Sequence, residues 1–308
     1  MLLLGLGLLT PGRCMAENTW HDENRCAVCF SGLVRGSSAD LQVDRLRKAL
    51  AEPNPCCSIP AHSYKLCRKQ GENAHDPTYE HYKVHEQDDW KRVLDMLDVN
   101  GMMIEGPLSA DAIQNLTQYL RLLPGPSVGW HPPQIVNMIR HWNSIKRCFS
   151  MTPPEAEWVA MVRLDVRFEH PVALADNAPL APDKDQLILP DVYNDWGYND
   201  RFALGRRSAI RVWTSGRLDS VATDLAKLES PTALDIEKRL KLHSEFYLKW
   251  VLDLHKVRAA QLPVCNTGTV YTDWGARPNK NESTFKCGHD GVSIYNAEDF
   301  GAAAGLLK

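Results

Sequence analysis

The chain has 308 residues, of which 44% are hydrophobic and 24% charged, with a formal net charge of −3. This is globular composition, long enough for one large core or two modest ones. It shows no basic face of the kind that binds nucleic acid, and no apolar run reaches the ~20 residues needed to cross a bilayer.

Leu2 to Leu9 is a short apolar segment, and Cys14-Met15-Ala16 follows with small residues where a signal peptidase would read. The expectation for 1–16 is a signal peptide or a truncated membrane anchor, against the plainer reading of a frayed apolar end. Membrane contact is expected through that segment alone. The sequons Asn115-Leu116-Thr117 and Asn281-Glu282-Ser283 fit a secretory route. Nine cysteines are many for a cytosolic enzyme. With Cys14 set aside, an even number remains, which suits disulfides in an oxidising compartment. Cys265 and Cys287 are the preferred pair, although sequence alone does not determine pairing. Cys26 and Cys29 form a CxxC, but on a strand residues three apart face opposite ways and cannot chelate together.

In chain order, Arg25 to Val34 reads as a buried first strand running into a glycine-bearing loop, as many nucleotide-binding α/β domains begin. Ser38 to Ala51 is an amphipathic helix by its spacing of Leu41, Val43, Leu46 and Leu50. Residues 52–87 are an irregular Cys/Pro-rich insertion around one short strand near Ser58 to Leu66. Its histidines His75, His81 and His85 match no standard zinc spacing.

A helix with Trp90, Val93, Leu94 and Leu97 follows, then a brief strand at Met102 to Ile104. Two more helices are expected, one capped by Ser109 and one from Pro132 to Phe149. Glu157 to Val166 is the clearest strand, apolar until Arg163 and Asp165 near its carboxyl end. Those two share a face and stand where open α/β sheets bind ligands. The acid suits a divalent metal and the arginine a phosphate; the competing reading is an ion pair tying down the strand end.

Leu187 to Leu189 is the next strand, and Trp196 to Gly205 after it reads as a polar-aromatic loop edging a site. Ala209 to Trp213 reads as a strand or a helix start, and Leu218 to Leu228 as helical. Pro231 to Val257 is a longer helical region, broken near His243, with Ser244 capping its second half. From 263 to 308 the pattern is a loosely packed extension. The alternation of helices and strands predicts an α/β fold with a mixed, mostly parallel sheet flanked by helices, over residues 25–262.

Four blocks together resemble a group of poorly characterised glycosyltransferase-like proteins of GT-A type from algae, plants and large algal viruses. They are Ala27 to Arg35; the helix with Trp142 and Cys148 leading to Arg163-Leu164-Asp165; Gly197 to Phe202 with Gly205; and Ser244-Glu245 with Leu248 and Leu252. Where family members show Arg-x-Arg-x-Asp, this chain has Met161 in place of the first arginine.

The resemblance implies a GT-A-like fold and transfer of a sugar from a nucleotide-sugar donor to a glycan or glycoprotein acceptor. It also implies a divalent metal, Mn²⁺ or Mg²⁺, bound at Asp165, and residence in the secretory pathway. Ser31, Gly32, Arg35, Arg163, Asn199 and Arg201 are the expected donor-binding residues. Asp200 is the first choice for the acceptor base and Glu245 the second. A reading from another class keeps the fold without catalysis, as a carbohydrate-binding or scaffold protein, with Tyr193, Trp196, Tyr198 and Phe202 as stacking rings. Walker, GxSxG and HExxH patterns are absent, so other nucleotide-dependent or hydrolytic enzymes have no support.

Overall fold

A computed structural model describes residues 25–32, 39–64, 95–97, 99–105, 108, 112, 132–164, 166–168, 171–190, 197–221, 244–262 and 269–270. The signal segment, both sequons, His75, His81, His85, the Ser109 helix apart from Ala112, Cys265, Cys287, Tyr193, Trp196, Arg35 and Asp165 lie outside these residues.

The elements are β1 (Cys26–Ser31), α1 (Ala39–Leu46), β2 (Pro60–Tyr64), β3 (Gly101–Glu105), α2 (Pro132–Met151), β4 (Trp158–Arg163) and β5 (Arg167–Phe168). They continue with α3 (Leu174–Asn177), β6 (Gln186–Pro190), β7 (Phe202–Arg206), α4 (Arg207–Arg211), α5 (Ser244–Leu254), β8 (Arg258–Leu262) and β9 (Thr269–Val270). Seven strands form one sheet in the order β3-β2-β1-β4-β7-β6-β8. The β1–β2, β2–β3, β1–β4 and β6–β8 ladders are parallel, and β7 runs antiparallel to β4 and β6. This is the α/β architecture with a mixed, mostly parallel sheet that the sequence predicts.

Every residue of β1 is buried, as a central parallel strand requires. Val28 and Phe30 face a cluster with Val43, Leu46 and Leu50 from the α1 side. Ala27 and Cys29 face the opposite cluster, with Ile145 and Phe149 of α2 and Leu248 and Leu252 of α5. The disulfides of β1 obey the same alternation. Cys26 bonds Cys57 on the first face, and Cys29 bonds Cys148 on the second. The CxxC is therefore a pair of separate staples, as strand geometry demands.

Two expectations need correction. The stretch ending in Gly205 is only partly a loop, because its last residues form β7, inserted between β4 and β6. Gly205 is there for space: a Cβ would lie 2.9 Å from the Gln186 carbonyl oxygen and 3.0 Å from Leu187 Cα. The helical region expected to reach Val257 ends at Leu254, and Lys256 takes a left-handed conformation (φ 57°) that turns the chain into β8. No sequence period announced RAAQL as a strand. Its pairing with β6 and the burial of β6 select it. The doubtful stretch at Ala209 is helical.

Candidate functional site

The chain leaves β1 on one side toward β2 and β3, then returns through α2 to β4 on the other side of β1. The carboxyl ends of β1 and β4 thus flank a topological switch point, where open α/β sheets form a crevice. Ser31 and Arg163 are register partners there. Gly32 follows with φ 103°, a conformation that favours glycine.

Backbone hydrogen bonds draw the third and fourth blocks to the same place. The Arg163 amide donates to the Arg201 carbonyl, and the Tyr198 amide to the Glu245 carbonyl. Asn199 is buried, and its side-chain oxygen accepts from the Arg201 amide, shaping the turn that presents Asp200. Gly197, at φ 140°, starts that turn.

Asp200 is the centre of the arrangement and only 3% exposed. Ser244 donates its hydroxyl to Asp200 Oδ2, and Trp142 Nε1 donates to the Ser244 oxygen at 3.1 Å. The Ser244 hydroxyl, expected as a helix cap, is thus directed at Asp200. Around the carboxylate stand Arg163 Nη1 at 3.7 Å, Arg217 Nη1 at 3.8 Å and His141 Nε2 at 3.9 Å. Burial pushes the Asp200 pKa up, but the fields of His141, Arg163, Arg217 and Arg201 together outweigh it and hold the carboxyl well below the usual range.

Arg217 is fully buried. Its Nε donates to the Trp213 carbonyl at 3.0 Å, and its guanidinium carbon lies 4.5 Å from the Trp213 ring centroid. Burial pulls its pKa down to about 10, against the opposing pull of Asp200, Glu245 and Tyr247, so it stays charged at neutral pH. Its terminal nitrogens have no hydrogen-bond acceptor among the described residues. Tyr247 stacks on Trp142 at 5.2 Å and closes the apolar wall.

The structure thus brings together Ser31, Gly32, Arg163, Asn199, Asp200, Arg201 and Glu245 of the expected site residues. Two of them are occupied differently from the expectation. The Gly32 amide donates to Ser144 Oγ at 2.9 Å and to the His62 carbonyl at 3.2 Å. The Ser31 hydroxyl points at the Val162 carbonyl at 3.4 Å. Both groups make these contacts within the fold. Of the four expected stacking rings, Phe202 is in the core and Tyr198 lies under Lys249, whose Nζ is 5.3 Å from its centroid.

Sequence reasoning missed His141 and Arg217. Both lie on helices, and a lone His or Arg carries no period of its own. The one available signal was an arginine four residues after a tryptophan, a spacing that puts both on one helical face.

Among the described residues no group of three or more His, Cys, Asp or Glu is placed to hold a metal. Asp200, surrounded by guanidinium groups, is electrostatically unsuited to a divalent cation. The described residues therefore do not form a metal centre.

No protein-family model matches the chain, and no curated protein matches it. Among solved structures it is similar to the apo form of mouse xyloside xylosyltransferase 1. That likeness has 11% identity and a TM-score of 0.41, over 78% of this chain and 85% of the other.

Proposed function

We propose that the chain is a nucleotide-sugar-dependent glycosyltransferase acting on a glycan or glycoprotein acceptor in the secretory pathway. One observation carries the reading: the four sequence blocks that resemble glycosyltransferase-like proteins converge on Asp200. Ser31 of the first block pairs with Arg163 of the second, Arg163 faces Asp200 of the third, and Asp200 takes a hydrogen bond from Ser244 of the fourth. Segments so far apart in sequence meet at the carboxyl edge of the sheet, where the leaving nucleoside diphosphate of such a reaction would sit.

The roles follow from charge. Arg163 and Arg201 supply fixed positive charge to the diphosphate as its bond to the sugar breaks. A base needs affinity for the proton it takes, and Asp200 holds too little. We therefore give Asp200 the task of orienting the arginines and keep Glu245 as the proposed acceptor base. Asp165, two residues beyond Arg163, is the proposed metal-binding carboxylate, and a divalent ion there would offset charge on the departing diphosphate. The Cys26–Cys57 and Cys29–Cys148 disulfides are compatible with a secretory lumen.

Calorimetric titration with a panel of nucleotide sugars, in Mn²⁺ and in EDTA, tests the reading. Binding of at least one donor, with turnover lost in Asp165→Ala, is expected. If no donor binds under either condition, the enzyme reading fails. Glycan binding without donor binding would point to a carbohydrate-binding role instead.

A further inference from the structure

A second polar cluster lies on the other side of β1 from Asp200 and takes no part in the chemistry above. His62 of β2 and Ser144 of α2 are both fully buried. His62 Nδ1 lies 2.8 Å from Ser144 Oγ, and His62 Nε2 lies 3.2 Å from Glu105 Oε1 at the end of β3. Arg147, one turn along α2 from Ser144, holds the same Glu105 oxygen at 3.2 Å. At the inner end, Ser144 Oγ accepts the Gly32 amide at 2.9 Å.

Donors and acceptors allow one assignment that satisfies every short contact with a neutral imidazole. Glu105, beside Arg147, is an acceptor, so His62 Nε2 carries the proton. Nδ1 is then an acceptor and takes the Ser144 hydroxyl hydrogen, leaving the Ser144 oxygen for the Gly32 amide. Burial lowers the His62 pKa against the opposing effect of Glu105, which agrees with a neutral ring. The longer alternative, Ser144 donating to the His62 carbonyl at 3.4 Å, would leave Nδ1 without its donor. The order serine–histidine–glutamate is that of a hydrolytic triad, but a fully buried serine inside a helix offers no nucleophile to a substrate.

We propose that the Glu105–His62–Ser144 chain is a positioning device that fixes the turn at Gly32, at the carboxyl end of β1 beside the proposed donor site. The direction of the chain is Gly32 amide to Ser144 oxygen, Ser144 hydroxyl to His62 Nδ1, and His62 Nε2–H to Glu105. It fastens the end of β3, the middle of β2 and the turn after β1 to α2. The link to the nucleotide rests on the proposed function; the positioning of Gly32 does not.

Two readouts on the full chain test the positioning directly. Heteronuclear NMR of the imidazole nitrogens is expected to show His62 protonated at Nε2 only, and the Nδ1–H form would overturn the inference. Amide exchange at Gly32 is expected to rise roughly tenfold in Ser144→Ala, the effect of one lost hydrogen bond. Glu105→Ala, at a partly exposed position where folding is not at stake, should also raise Gly32 exchange. Glu105→Gln, which keeps the acceptor, should restore the wild-type rate. Unchanged exchange at Gly32 in both alanine variants overturns the proposal.

Titration with UDP and GDP supplies the third readout. Weaker nucleotide binding in Glu105→Ala than in wild type supports the link from the Gly32 turn to the donor site, and equal affinity overturns it. Absence of nucleotide binding by wild type would overturn the donor link together with the proposed function, while exchange and tautomer still decide the positioning.

Discussion

Replacing Asp200 by asparagine keeps the side-chain shape and an acceptor for Ser244 but removes the charge that Arg163, Arg217 and His141 face. The cost follows from the distances. At 3.7 to 3.9 Å, each pair with Arg163, Arg217 or a charged His141 is worth about 4 kcal/mol at an effective dielectric of about 20. Desolvation of the ions offsets much of that sum, but once they are buried, removing one partner leaves the penalty without its compensation. Breaking a buried pair costs about 3–5 kcal/mol. Arg217 suffers most, being 0% exposed with its terminal nitrogens already short of acceptors.

Asp200→Asn is therefore expected to lose about 3–5 kcal/mol, or on the order of 6–20 °C in Tm for a domain of this size. Denaturant-induced unfolding measures it, with fluorescence of Trp142 and Trp213 beside the Arg217 guanidinium as the local probe. Adding Arg217→Met should recover part of the loss, because the orphaned charge is then gone. A loss below about 1 kcal/mol for Asp200→Asn, or no recovery in the double variant, would refute the caged-carboxylate account.

Three other outcomes follow from the packing. Gly205→Ala should destabilise the protein by about 1–3 kcal/mol, since its Cβ would meet the backbone of β6; an unchanged Tm would show that the strands can separate freely. The Cys29–Cys148 bond spans 119 residues and Cys26–Cys57 spans 31, so alanine replacement of the first pair should cost about 1 kcal/mol more than that of the second. Equal urea midpoints would show that loop entropy does not control the difference. His62, neutral in the fold and ordinary when unfolded, makes stability full above about pH 6.5 and lower as pH falls below it, because the unfolded chain takes the proton first. His62→Gln should remove that part of the slope, and an unaltered pH profile of unfolding would contradict a neutral buried ring.

Much of the scaffold was legible because its elements carry strong local patterns. β1 and β4 are continuous apolar runs, and α2 shows a helical stripe ending in Phe149. The strand-to-loop boundary at Gly32 and the placing of Arg163 at a strand end came from the same patterns. β7 and β8 were not legible. Five residues with a glycine inside, or RAAQL after a helix, have no period that separates strand from loop, and cross-strand partners decide them.

The site divides in the same way. The sequence by itself determined the residue types and their four blocks, and strand alternation alone separated Cys26 from Cys29. It could not show what surrounds Asp200, the first choice for the acceptor base. The tertiary structure decided those surroundings, because Arg163, Arg217 and His141 come from β4 and two helices and act on Asp200 only through space. The proton affinity of a carboxylate is a property of the field around it, and that field is assembled by folding.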